Sequence, residues 1–192
     1  EYGPKTLALS DRVLSENVAI RISGPERVCI VGRNGCGKTT LLKILVPEIE
    51  RRGYNVFYMP QTYSDLLPMD RLPVEFLAPD GDKESVTEAR IFLGSMKYTT
   101  DEMNHPIRAL SGGQQAKLLL LKAILDRADV LVLDEPTRNL SPLSAPAVRT
   151  LLREFRGAIL FVTHDRRLIE KAAMRVLKLT ESGLVPFDAS IF

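Results

Sequence analysis

The apolar positions of this chain fall into short runs separated by longer segments of helical period. Val28 to Val31, Val130 to Leu133 and Ala158 to Val162 are continuous or nearly continuous apolar runs of strand length, and Tyr54 to Met59 is a fourth strand. Helical segments come between and after them. Thr39 to Val46 opens one helix, and Lys83 to Met96 carries Val86, Ala89, Leu93 and Met96 near helical spacing. A long helix runs through Leu118, Leu119, Leu121, Lys122 and Leu125, and Pro146–Phe155 and Arg166–Ala173 are shorter ones. Strands that alternate with helices predict an α/β fold with a mainly parallel sheet. The all-apolar Val130–Leu133 run suits the centre of that sheet, buried on both faces.

Two regions depart from this rhythm. Before Arg27 the chain predicts a small antiparallel β region, with strands at Lys5–Leu9 and Val18–Ile22 and a turn at Ser23-Gly24-Pro25-Glu26. Between Leu66 and Met103, Pro68, Pro73 and Pro79 break the pattern before the Lys83 helix begins. This predicts a short helical lobe over 66–106, inserted into a core of 28–65 and 107–192, with the β region at 1–27. Val176–Leu179 and Leu184–Phe187 flank Glu181-Ser182-Gly183, a hairpin signal.

Chemistry enters directly after the first apolar run. Gly32 to Thr39 reads Gly-Arg-Asn-Gly-Cys-Gly-Lys-Thr, which fits the P-loop pattern G-x-x-x-x-G-K-[ST] in the strand–loop–helix context that the pattern needs. Gly32, Gly35 and Gly37 let the backbone curl so that its N–H groups point at phosphate oxygens, and the following helix adds its positive end. Arg33, Asn34, Cys36 and Thr40 complete the phosphate-binding stretch. Lys38 can reach the β- and γ-phosphates, and the Thr39 hydroxyl can sit on magnesium.

Other polar residues stand at strand ends, where ligands of such sheets bind. Gln61 follows the Tyr54–Met59 strand, and its amide can serve magnesium and its waters. Asp134 and Glu135 end the Val130–Leu133 strand. Asp134 is placed to hold magnesium through water, and Glu135 to orient and activate a water for attack on the γ-phosphate. His164, one of 2 histidines, ends the Ala158–Val162 strand and can contact the γ-phosphate through a ring N–H. Ser111 is a natural N-cap, and Gly112 and Gly113 leave backbone N–H groups uncovered, so Ser111–Gln114 opens a second anion-binding helix. Tyr2 and Tyr63 are possible base-stacking rings.

Composition adds bounds. The 192 residues suit one domain, or one domain with a small lobe, and 45% apolar residues suffice for a sizeable core. A formal charge of +2 points neither to nor away from nucleic acid. Cys29 and Cys36 form no disulfide framework, which points to a reducing compartment such as the cytoplasm. No apolar run approaches the roughly 18 residues of a membrane helix, so no direct membrane insertion is expected. Glu1 rather than Met opens the sequence, which suggests a processed or excised piece of something longer.

Taken in order, these motifs resemble the ATP-binding cassette (ABC) ATPase domain, and the resemblance covers nearly the whole chain. The P-loop, Gln61 as the Q-loop glutamine, Leu110-Ser111-Gly112-Gly113-Gln114 as the signature, Asp134-Glu135 as the end of Walker B and His164 as the switch histidine stand in the family's order. The resemblance implies a P-loop NTPase core that takes ATP and magnesium. It implies Tyr2 as the adenine-stacking ring, Glu135 as the catalytic base with Lys38 and His164 beside it, and Thr39, Gln61 and Asp134 on magnesium. It also implies that Ser111, Gly112, Gly113 and Gln114 bind the nucleotide of a second ABC cassette, either a homodimer partner or a fused domain.

Within the family, His164-Asp165-Arg166-Arg167, Tyr2-Gly3-Pro4-Lys5 and Glu181-Ser182-Gly183 resemble the ABC-F class. That class implies a two-cassette ATPase without membrane partners that acts on the ribosome. The alternative is the ATPase subunit of a membrane transporter, against which the short helical lobe counts. A pure ATP-binding switch is a third reading, and Glu135 argues against it. One departure stands out. Where the family runs Asn-His-Leu-Asp after Walker B, this chain runs Arg138-Asn139-Leu140-Ser141.

Overall fold

The computed structural model describes residues 1–138, 140 and 145–188. Strands β1 (Tyr2–Leu9) and β2 (Arg12–Ile20) pair antiparallel as a two-stranded sheet. Both strands are longer than the sequence pattern predicts, and β2 ends at Ile20 rather than Ile22. The cause is in the register, which shifts repeatedly between Tyr2 and Ala8. Each shift turns the following side chains to the other face, so the period-2 signal is lost.

The main sheet has six strands in the order β4-β5-β6-β3-β7-β8. They are β3 (Arg27–Val31), β4 (Val56–Met59), β5 (Val130–Asp134), β6 (Ala158–Val162), β7 (Arg175–Thr180) and β8 (Gly183–Pro186). All neighbours run parallel except β7 and β8, which form the expected hairpin. Every residue of β5 is buried, as its continuous apolar run requires. The register sets Met59 against Leu133, Asp134 against Val162 and Ile30 against Val162. The carboxyl ends of β3, β4, β5 and β6 therefore lie side by side.

Helix α1 (Lys38–Glu50) packs its Leu41, Leu42 and Leu45 against Val28, Ile30, Val130, Val132, Leu160 and Val162. Leu42 is fully buried in that cluster. Leu42→Ala should lower stability by about 2–5 kcal/mol, read as a shift in the urea midpoint with an unchanged slope.

The remaining helices are α2 (Pro73–Leu77), α3 (Lys83–Ser95), α4 (Thr100–Met103), α5 (Gly112–Leu125), α6 (Ala145–Glu154) and α7 (Arg166–Ala172). The chain divides into two compact units. One takes in Glu1–Gln61, Ala128–Arg138 and Leu152–Phe192, and the other Thr62–Arg127 and Asn139–Leu151. The second unit thus reaches past the 66–106 expected for the lobe and includes α5. The reason is a set of side-chain bonds to α5 that leave no local trace in sequence. Tyr63 and Tyr98 donate their hydroxyls to the carbonyls of Gly112 and Gln114, and Lys117 donates to the Met96 carbonyl at 2.9 Å.

Helix caps in this unit are side-chain caps of ordinary type. Asp82 accepts from the N–H groups of Glu84 and Ser85 at the start of α3, and Thr99 with Glu102 forms a capping box on α4. Lys117 is 7% exposed, with its ammonium 4.7 Å from the centre of the Tyr98 ring. Burial lowers its pKa, opposed by the nearby Glu102 carboxylate, and the same burial raises that of Tyr98.

Candidate active site

The loop after β3 is built around a left-handed glycine. Gly37 has φ of 104°, and a side chain there would place its Cβ 2.9 Å from Leu14 Cδ1 and 3.0 Å from Leu7 Cδ2. Only glycine fits both the conformation and the space. Gly37 is also the N-cap of α1 and offers no side-chain cap. The first N–H groups of the helix therefore remain available to an anion. Lys38, 8% exposed, turns back over the loop and donates to the carbonyls of Gly32 and Arg33, both at 2.9 Å. Arg33, Asn34 and Gly35 are exposed at the turn, and Cys36 is half-buried.

Asp134 brings the end of β5 to the start of α1. The Thr39 hydroxyl donates to its Oδ2 at 2.6 Å, across 95 residues of sequence. Asp134 is only 3% exposed, so its carboxylate is a costly group to bury without a use. Among the described residues, no cluster of three or more His, Cys, Asp or Glu could hold a metal by itself. A hydroxyl beside one carboxylate is instead the donor set of a magnesium ion that shares its shell with phosphate oxygens and waters. The residues present therefore fit ATP with magnesium. Tyr58, on neighbouring β4, has its phenol pKa raised by burial and by the Asp134 charge. Nothing in the sequence marks this neighbour beyond its place in the Tyr54–Met59 strand.

Glu135 stands one residue further on, with φ of 53°, a strained value for a glutamate. Its N–H donates to the Val162 carbonyl at 2.9 Å, which holds the turn against the end of β6. Its carboxylate accepts from the His164 N–H at 3.3 Å and lies 3.5 Å from His164 Nε2. Gln61 is exposed just beyond Met59, the last residue of β4. The structure thus brings Thr39 to Asp134 and Glu135 to His164, with Lys38 and the loop amides on the adjoining strand. Cys29, in the middle of β3, is sealed in the sheet, and burial pushes its thiol up to about 12, so it stays protonated and inert.

Tyr2 does not join this group. It lines a cleft of about 640 Å³ together with Leu45 and Ile49 from the far end of α1, with Arg52 just after that helix, and with Val130 and Ala158 at the amino ends of β5 and β6. The phosphate loop is at the other end of α1, roughly 20 Å away for 13 residues of helix. The adenine-stacking role expected of Tyr2 is therefore corrected. β1 runs towards the loop, so Leu7 meets Gly37 while Tyr2 begins the strand at the opposite end. Tyr63 is no stacking ring either, being 8% exposed with its hydroxyl bound to Gly112.

Ser111 stands at the N-cap of α5, as its place before the helix predicts. Ser111 caps α5, accepting from the Gln114 N–H at 3.3 Å, while Gln114 Oε1 accepts from the Ser111 N–H at 2.8 Å. The Gln114 amide also donates to Glu102. Ser111 and Gly112 are exposed, and Gly113 is buried.

A family model described as ABC transporter matches residues 15–138. The chain belongs to the ABC ATPase family. It is similar to ABC transporter F family member 2 of Arabidopsis thaliana, with 30% identity over 92% of this chain and 27% of that protein. It is also similar to the ribosome protection protein VmlR of Bacillus subtilis (strain 168), with 32% identity over 93% of this chain and 34% of the relative. The chain spans about a third of the length of the curated relatives it matches. Its fold matches a solved dimeric structure of the ATP-binding cassette MJ0796 in a post-hydrolysis state bound to ADP and phosphate. The TM-score is 0.74 at 21% identity, covering 94% of this chain and 93% of that one.

The start of α1 thus meets the end of β5 through the Thr39–Asp134 bond, and His164 meets Glu135. Of the run Arg138-Asn139-Leu140-Ser141 that departs from the family's pattern, Asn139 and Ser141 lie outside the described residues. Among the described residues, no helix is long and apolar enough to cross a membrane.

Proposed function

We propose that this ABC cassette binds ATP with magnesium, hydrolyses it to ADP and phosphate, and uses the cycle to pair with and part from a second cassette on the ribosome. The observation that carries the reading is the 2.6 Å bond between Thr39 and Asp134, with the Glu135–His164 pair on the next residue and the next strand. On binding, Lys38 exchanges the Gly32 and Arg33 carbonyls for phosphate oxygens, while the loop and α1 amides hold the phosphates in place. Thr39, Asp134 and Gln61 would hold magnesium, which neutralises charge on the phosphate oxygens. Glu135 takes a proton from the attacking water, and His164 holds the glutamate and the γ-phosphate in register.

Ser111 and the Gly112 and Gly113 amides form a second cradle, proposed to close on the nucleotide of the opposite cassette. The MJ0796 cassette, whose fold this chain shares, is dimeric in its solved structure, which supports this reading. The ribosome enters through the resemblance to VmlR, whose name marks it as a ribosome protection protein. Co-sedimentation tests the cellular half of the reading. The Glu135→Gln chain should pellet with ribosomes in ATP and remain in the supernatant in ADP. Recovery with a membrane protein instead of ribosomes would support the transporter alternative.

A further inference from the structure

A groove of about 940 Å³ opens beside the phosphate loop, with Arg33–Cys36 of the loop forming one wall. The other walls come from Arg12, Val13 and Glu16 of β2 and from Lys178 and Glu181 at the β7–β8 turn. Because the loop itself is a wall, a nucleotide whose phosphates rest on the loop has this groove within reach of its sugar and base. None of the described lining residues is aromatic. The apolar surface at this end of the hairpin is aliphatic. Val13 is 55% exposed and Leu9 58% exposed, and Leu9 pairs with Arg12 at the strand ends. The polar lining is mostly exposed charged chain ends, joined by exposed Asn34 and by the Thr180 and Ser182 hydroxyls, which are taken up with each other and with the Gly183 carbonyl.

We propose that this cassette accepts nucleoside triphosphates with little regard to the base, holding the base loosely against Val13 and Leu9 and selecting through the triphosphate. The inference rests on the ATP-binding reading above and deepens it. An aromatic platform adds roughly tenfold to a hundredfold to the affinity for a stacked base, and none of the described residues lining the groove supplies one. Aliphatic contact is non-directional and takes any base alike. Discrimination between bases needs buried polar groups that are left unpaired by the wrong base, and exposed Arg12, Glu16, Lys178 and Glu181 are not such groups.

The test is displacement of a fluorescent N-methylanthraniloyl-ATP from the Glu135→Gln chain by ATP, GTP, CTP and UTP, each with magnesium. The dissociation constants should agree within about threefold, whereas a preference of about tenfold or more for one base overturns the inference. Val13→Tyr installs a ring at an exposed strand position that tolerates it, and should favour purines over pyrimidines by about fivefold or more. An unchanged base order in Val13→Tyr overturns the placement of the base on this groove. Failure of all four nucleotides to displace the probe, or equal binding by Lys38→Ala, overturns the ATP-binding reading itself. Tight ATP binding with strong base selection overturns only the base-indifferent groove.

Discussion

Replacing Glu135 with glutamine should lower ATP turnover by about 10²- to 10⁴-fold while leaving ATP bound. The substitution keeps the size of the side chain, and glutamine tolerates the φ of 53° at this turn no worse than glutamate does. The amide oxygen can still accept from the His164 N–H, now at 3.3 Å, so the local geometry survives. What is lost is the proton acceptor. Phosphate release at saturating ATP reads the first effect, and nucleotide retained through rapid desalting reads the second. Turnover within about twofold of the unmodified chain would remove Glu135 from the chemistry.

Lys38→Ala should weaken ATP binding by about tenfold to a hundredfold, the worth of a charge-assisted hydrogen bond to phosphate. Lys38 is nearly buried and ties two loop carbonyls at 2.9 Å, so alanine also loosens the loop. Lys38→Met separates the two effects by keeping the buried stem without the charge. If the ammonium acts on phosphate, both variants lose affinity, and the methionine variant keeps its thermal midpoint. Unchanged ATP binding by titration calorimetry in both would refute the phosphate loop.

Most of the sheet, and the residues that gather at its carboxyl end, are legible in the sequence because several signals coincide there. Val28–Val31, Val130–Leu133 and Ala158–Val162 are too apolar for a half-exposed strand, so they must sit inside a covered parallel sheet. Parallel strands bring their carboxyl ends together, and that alone predicts Thr39, Asp134, Glu135 and His164 as neighbours. The N-terminal hairpin is less legible. Its register shifts erase the alternation, so β2 looks like a short strand behind a polar loop.

Tyr2 illustrates a second limit. A ring a given distance upstream of the phosphate loop is near it only if the strand between them ends there. β1 ends there with Leu7 and Leu9, and begins with Tyr2. That the second unit takes in α5 has a third basis. Tyr63, Tyr98 and Lys117 reach across to α5 by side chain, and such bonds between distant segments follow no local pattern.

The central claim is that this site works only when a second cassette closes it. Sedimentation velocity of the Glu135→Gln chain, with magnesium and either ATP or ADP, tests that claim most directly. A species of about twice the single-chain mass in ATP, reverting to the single chain in ADP, is the predicted result. A single chain in both nucleotides, with ATP demonstrably bound, would contradict it.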